Sequence, residues 1–174
     1  MEKDLKNEII EWIKAIVFAL VLALLIRSFI FEPMMVPTGS MIHTIEINDR
    51  ILVNKFIYRF KDLEHGDVVV FKYPDDPKQT FVKRLIGVGG DIIEIRDNVL
   101  YRNNEPIEEP YVKEPMIGDY GPYKVPEGHF FMMGDNRNSS KDSRSWENKY
   151  VPRENVIGKA TYCIWPLSRI GALK

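Results

Sequence analysis

Thr80-Phe81-Val82-Lys83-Arg84-Leu85-Ile86 is the stretch on which the fold turns. Read as a strand, it places Phe81, Lys83 and Leu85 on one face and Val82, Arg84 and Ile86 on the other, because successive side chains of an extended chain point to opposite sides. Similar stretches lie on either side of it, at 50–58, 67–72, 91–96, 99–102, 129–133 and 156–164. They are rich in Val, Ile and Phe and bounded by Gly, Pro, Asp and Asn. Asp97-Asn98 predicts a hairpin turn between two of them. Residues 74–77 are turn-rich, and 103–127 read as a loop-rich insertion. With no long amphipathic helix expected after residue 31, the prediction is a mainly β domain of curved antiparallel sheets or an incomplete barrel.

Upstream the character changes. Ala15 to Ile26 is an uninterrupted apolar run flanked by Lys14 and Arg27. Its twelve residues fall short of the roughly 20 that a bilayer requires. Counting 9–31 gives a full span, with Glu11, Lys14 and Arg27 near its ends, where long basic side chains snorkel toward water. A cleaved signal peptide is the alternative. The run is followed by Arg27-Ser28-Phe29-Ile30-Phe31-Glu32-Pro33, bulky where small-x-small cleavage residues belong, which favours an uncleaved transmembrane anchor in membrane lipid. Lys3, Lys6 and Lys14 before the span, against Arg27 just beyond it, place residues 1–8 in the cytoplasm and 32–174 outside it.

The 174 residues suit one domain plus an anchor, and a net charge of −1 with basic residues spread along the chain offers no footprint for a nucleic acid. The lone Cys163 excludes an intramolecular disulfide and reads as a small buried hydrophobe. His43, His65 and His129 are isolated, Asp135 to Asp142 lacks the Gly and terminal Glu of a calcium loop, and no metal site is expected. Gly87-Val88-Gly89-Gly90 has neither a P-loop nor a dinucleotide spacing, so no cofactor is expected either. The sequence does not specify an oligomeric state.

Two segments carry chemistry. Pro37-Thr38-Gly39-Ser40-Met41 is either an ordinary turn or a tight bend presenting Ser40, with the Thr38 hydroxyl as a second donor toward a developing oxyanion. Lys83 is either a snorkelling base on an edge strand or a lysine desolvated between Phe81 and Leu85. Burial disfavours the charged form and can leave a neutral amine able to act as general base.

Pro37-Thr38-Gly39-Ser40-Met41, Lys83-Arg84-Leu85-Ile86-Gly87 with Gly90-Asp91, and Gly134-Asp135-Asn136-Arg137 with Ser140 and Asp142-Ser143-Arg144 occur in that order, with His65-Gly66-Asp67-Val68-Val69-Val70-Phe71 as a further block. Together with the anchor they closely resemble type I signal peptidases, the Ser/Lys enzymes that remove signal peptides from exported preproteins. The resemblance implies a largely β fold, Ser40 as nucleophile and Lys83 as general base. It implies an oxyanion hole from the Ser40 amide and the Thr38 hydroxyl, where many members carry serine. Ser140 would orient the lysine amine, Asp142 and Arg144 would form a supporting ion pair, and Asp135 would be a further structural residue. Met34, Met35, Val36, Ile45 and Phe81 are the apolar candidates for substrate pockets. A Ser-His-Asp triad, a β binding module without chemistry and a self-cleaving Ser/Lys protease are the competing readings.

Overall fold

The computed structural model describes residues 2–173. A helix, α1 (Glu2–Phe29), leads into a large antiparallel sheet of eight strands. These are β1 (Phe31–Met35), β2 (Arg50–Asn54), β3 (Val68–Tyr73), β4 (Asp76–Gly87), β9 (His129–Met133), β10 (Val151–Pro152), β11 (Val156–Trp165) and β12 (Gly171–Ala172). The order is β1-β2-β11-β3-β4-β9-β10, with β12 pairing onto β11. A second antiparallel sheet holds β5 (Ile92–Arg96), β6 (Val99–Arg102), β7 (Glu105–Pro106) and β8 (Tyr120–Lys124) in the order β7-β6-β5-β8.

The expected strands form, with four instructive differences. Strand 50–58 stops at Asn54, whose side-chain oxygen accepts the N–H groups of Phe56 and Ile57 at 2.9 and 3.0 Å and diverts the chain into a 3-10 turn. The 74–77 loop is a hairpin corner, with Tyr73 opposite Asp76 and the Tyr73 hydroxyl donating to Asp75 at 2.6 Å. The insertion at 103–127 contributes β7 and β8, so it builds part of the second sheet. The 80–86 strand is paired to β3 along most of its length and to β9 only at its end, and Lys83 is 4% exposed, so the amine is buried and does not snorkel to water. Asp97 and Asn98 do make the hairpin turn, with φ of 51° and 65°, as a two-residue hairpin loop requires.

Three apolar clusters hold the sheets. The run Val68-Val69-Val70-Phe71 is buried on both faces of β3: Val69 and Phe71 join Leu85, Met132 and Trp146, while Val68 and Val70 join Met41, Ile45 and Val53. β9 repeats the device, with Phe130 and Met132 on the first cluster and Phe131 and Met133 against Ile93, Ile95 and Leu100 of the second sheet. Continuous apolar runs, where alternation would mark a one-sided strand, are the sequence trace of this double burial.

α1 exposes Ile13, Ile16, Val17, Phe18, Leu20 and Leu24 by more than half. Among the described residues no helix is long and apolar enough to cross a membrane; Glu8, Glu11 and Lys14 lie in the first half of α1.

Trp146 is 1% exposed and meets Phe71, Tyr73 and Phe81 with ring centroids 5.9, 5.2 and 5.9 Å away. Trp146→Ala should lower the unfolding free energy by about 3–5 kcal/mol, measured by urea titration followed by circular dichroism. A loss below about 1 kcal/mol would mean that the cluster closes around the gap.

Candidate active site

Ser40 lies in the loop between β1 and β2. Met41 and Ile45, both fully buried, fasten that loop to the core, and the Val36 and Asn48 amides tie its ends together through Asp49 and Val36 carbonyls at 2.9 and 2.8 Å. The loop is thus a rigid platform, on which the Ser40 amide N–H has no acceptor among the described residues. Lys83 reaches it from β4, donating from Nζ to Ser40 Oγ at 2.5 Å. Both groups are nearly dry, with Lys83 4% and Ser40 8% exposed.

Burial pushes the Lys83 amine down from 10.5 to about 8. The charges of Asp142 and Asp135 oppose that shift. Each carboxylate, however, is held by a guanidinium in two hydrogen bonds: Arg144 grips Asp142 at 2.8 and 2.8 Å, and Arg84 grips Asp135 at 2.8 and 2.6 Å. Burial is nonetheless the largest influence on the amine, and desolvation prevails. Phe81, on the same face, sits with its ring centre 5.3 Å from Nζ.

The segment after β9 closes the site. Asn136 donates its backbone N–H to the Ser40 carbonyl at 3.1 Å and its side chain to the Gly39 carbonyl at 3.0 Å. Gly134 passes so close that a Cβ there would collide with the Ser40 carbonyl and Ser140 Oγ. Asp142 accepts the Gly134 amide at 3.0 Å, so the Asp142–Arg144 pair fixes this segment. Thr44 donates to Asp135 at 2.5 Å, which ties the Ser40 loop to the same network.

The predicted residues are therefore brought together with two exceptions. Ser140 Oγ is buried but makes no hydrogen bond, so the contact to the Lys83 amine is not formed. Ile45 is core, packed with Met41 and Val70 and fully buried, and it does not line the cleft. Met34, Met35, Val36 and Phe81 do line the cleft. Arg84, Asn136 and Gly134 were not predicted as site residues. A second charge facing away from Lys83 on an apolar strand was a readable sign for Arg84; nothing in the sequence marks Asn136 as the clasp of the Ser40 loop. No histidine hydrogen-bonds to Ser40 among the described residues: His65 meets Asp91 at 2.8 Å and His129 the Glu127 carbonyl at 2.9 Å.

Ser40, Lys83 and the exposed Thr38 open on a cleft of about 840 Å³. One wall is β1, the end strand of the large sheet, paired only to β2. Another is the first part of β4, which β9 reaches only at Arg84, Leu85 and Gly87, so the backbone edge before Lys83 is unpaired. A hydroxyl hydrogen-bonded to a dry amine, with two strand edges around one cleft, is an arrangement suited to chemistry on extended polypeptide.

Comparison with known proteins points the same way. The family model described as "Signal peptidase, peptidase S26" matches residues 9–165. A signal peptidase I of Leptolyngbya laminosa is 41% identical, with 96% of this chain and 85% of that protein aligned. A signal peptidase I of Bacillus licheniformis is 39% identical, with 95% and 93% aligned. A solved signal peptidase I from Enterococcus faecalis superposes with a TM-score of 0.51 at 33% identity, over 58% of this chain and 98% of that one. With the family match running through both the Ser40 loop and the Lys83 strand, the chain belongs to the signal peptidases of the peptidase S26 family.

Proposed function

We propose that the chain is a signal peptidase I, a serine endopeptidase that removes N-terminal signal peptides from exported preproteins after small-x-small sites, with Ser40 as nucleophile and Lys83 as general base. The observation that carries this is the 2.5 Å contact between a buried amine and a buried hydroxyl at the floor of a cleft. In the reaction, neutral Lys83 takes the Ser40 proton as Oγ bonds to the scissile carbonyl carbon. The oxyanion accepts hydrogen bonds from the unpaired Ser40 N–H and the Thr38 hydroxyl. Collapse breaks the peptide C–N bond, and the Lys83 ammonium returns its proton to the departing amine. Lys83 then deprotonates a water that hydrolyses the ester, and Ser40 leaves with its proton restored.

The free edges of β1 and β4 favour a substrate held as an added strand. Alternate residues of a strand share a face, so a wall built of Met34, Val36 and Phe81 meets every second substrate residue and selects small ones, leaving the residue between them unconstrained.

The exposed apolar surface of α1 supports its assignment as an anchor over 9–31, with 1–8 cytoplasmic and 32–174 forming the extracytoplasmic catalytic domain. In that arrangement Glu11, Lys14 and Arg27 fall toward the ends of the span, within reach of the interfaces. The full chain should stay with membranes through an alkaline carbonate wash; release into the supernatant would remove the anchor.

Cleavage of a preprotein by the full chain in detergent should be abolished in Ser40→Ala and in Lys83→Ala, both folded by circular dichroism. Retained cutting in Lys83→Ala would place the base elsewhere. Thr38→Val should slow turnover roughly 100- to 1000-fold without loss of fold.

The Lys83 shift also fixes two pH dependences. Because the amine must be neutral, kcat/KM should rise with pH through an apparent pKa near 8. A lysine whose native pKa lies below its unfolded value destabilises the fold at low pH. Below about 8 the penalty is complete, and it fades as pH rises toward 10.5, where the unfolded chain also loses the proton. Lys83→Met should therefore be inactive yet more stable than the parent at pH 7, by up to about 3 kcal/mol. The gain should shrink between pH 8 and 10, as read in parallel urea titrations. A gain independent of pH would show that shape, not charge, sets it.

A further inference from the structure

Away from the cleft, where α1 meets the sheet, a second cavity of about 370 Å³ is lined by Phe29, Lys55, Tyr58, Arg59, Arg153 and the β11 residues Val156 and Ile157. Its position is fixed by the chain itself: the Lys55 amide donates to the Ile30 carbonyl at 2.8 Å, so the cavity opens at the last residues of α1.

Its charge is unbalanced. Lys55 pairs with Glu32 at 3.1 Å. Arg59 is exposed, lies 5.6 Å from the centre of the Phe56 ring, and makes no ion pair among the described residues. Arg153 donates from one Nη to the Tyr58 carbonyl at 2.7 Å, while its other Nη is buried without a hydrogen-bond partner among the described residues. The acid nearest Tyr58 is already engaged, since Asp67 accepts the Tyr58 hydroxyl at 2.9 Å and binds Lys159. A buried guanidinium nitrogen without an acceptor carries a desolvation cost that an arriving anion relieves. Guanidinium groups match the oxygen geometry of phosphate. Beside the cavity Phe56 and Phe60 are 38% and 74% exposed, and Phe29, in its wall, is 55% exposed. Aromatic rings next to basic groups are the side chains that settle at a lipid headgroup layer.

We propose that this cavity binds a phosphate group, that of an anionic phospholipid headgroup, with Arg59 and Arg153 as its donors, Lys55 at the rim and the phenylalanines beside the acyl chains. The phosphate chemistry stands on the cavity alone; the lipid as its source rests on α1 as a membrane anchor.

The test is binding to the full chain in non-ionic detergent, titrated with short-chain phosphatidylglycerol and separately with inorganic phosphate, and read by native mass spectrometry. Wild type should retain the lipid, and Arg59→Gln should weaken it by about tenfold, the scale of one charge-assisted hydrogen bond. Arg153→Lys, which keeps the charge but loses the fork, should weaken it as well. Lys61→Gln, which removes an equal charge outside the cavity, should change affinity less than about twofold. Inorganic phosphate binding as tightly as the lipid would make free phosphate the ligand. An affinity unchanged in Arg59→Gln, an equal loss in Lys61→Gln, or no bound lipid or phosphate in wild type would overturn the site. Phosphate binding that depends on Arg59, in a chain that carbonate strips from membranes, would leave the cavity standing and remove the anchor.

Discussion

An amine held away from water beside a hydroxyl is the constraint that orders this molecule. Burying an ammonium costs several kcal/mol even after the protein relaxes, and a carboxylate left free nearby would restore the charged form. Asp135 and Asp142 both act on Lys83 electrostatically, and each is committed to an arginine, Arg84 and Arg144. Arg84 is the chain neighbour of Lys83. One strand thus delivers the buried amine on one side and, on the other, the counter-charge of Asp135.

The same arginine-held acids set the geometry. Asp142 pins Gly134 and Asp135 pins Thr44, so the acids whose charges reach the amine also hold the β9–β10 segment against the Ser40 loop. Asn136 completes the clasp. The Ser40 loop and the surroundings of the Lys83 amine thus share two ion pairs, and a change to either acts on both.

Much of this was legible in the residues. The period-two pattern at 80–86 gave the face shared by Phe81 and Lys83, and the apolar runs at 67–72 and 129–133 marked strands. Their burial on both faces was hidden, because a run does not say which sheet covers it. β8 was missed since Tyr120-Gly121-Pro122-Tyr123-Lys124 carries turn residues; its pairing with β5 supplies what its composition does not. Ile45 was assigned to a pocket because apolar residues near a nucleophile look alike until packing separates wall from core. The Ser40–Lys83 pairing was expected from ordered motifs, whereas the places of Arg84, Asn136 and Gly134 arise from contacts across 51, 97 and 94 residues of chain, which local pattern does not encode.

Those separations have a consequence for the life of the chain. Ser40 and Lys83 are 43 residues apart, and the clasp on the Ser40 loop comes from Asn136, 97 residues beyond Gly39. An unfinished chain carries Ser40 and Lys83 but not Asp142, Arg144 or the Asn136 bridge. Without them the Ser40 loop is unfastened, and without the folded sheets around it the Lys83 amine is solvated and charged. Chemistry that needs Ser40 and Lys83 held together therefore waits for the completed fold.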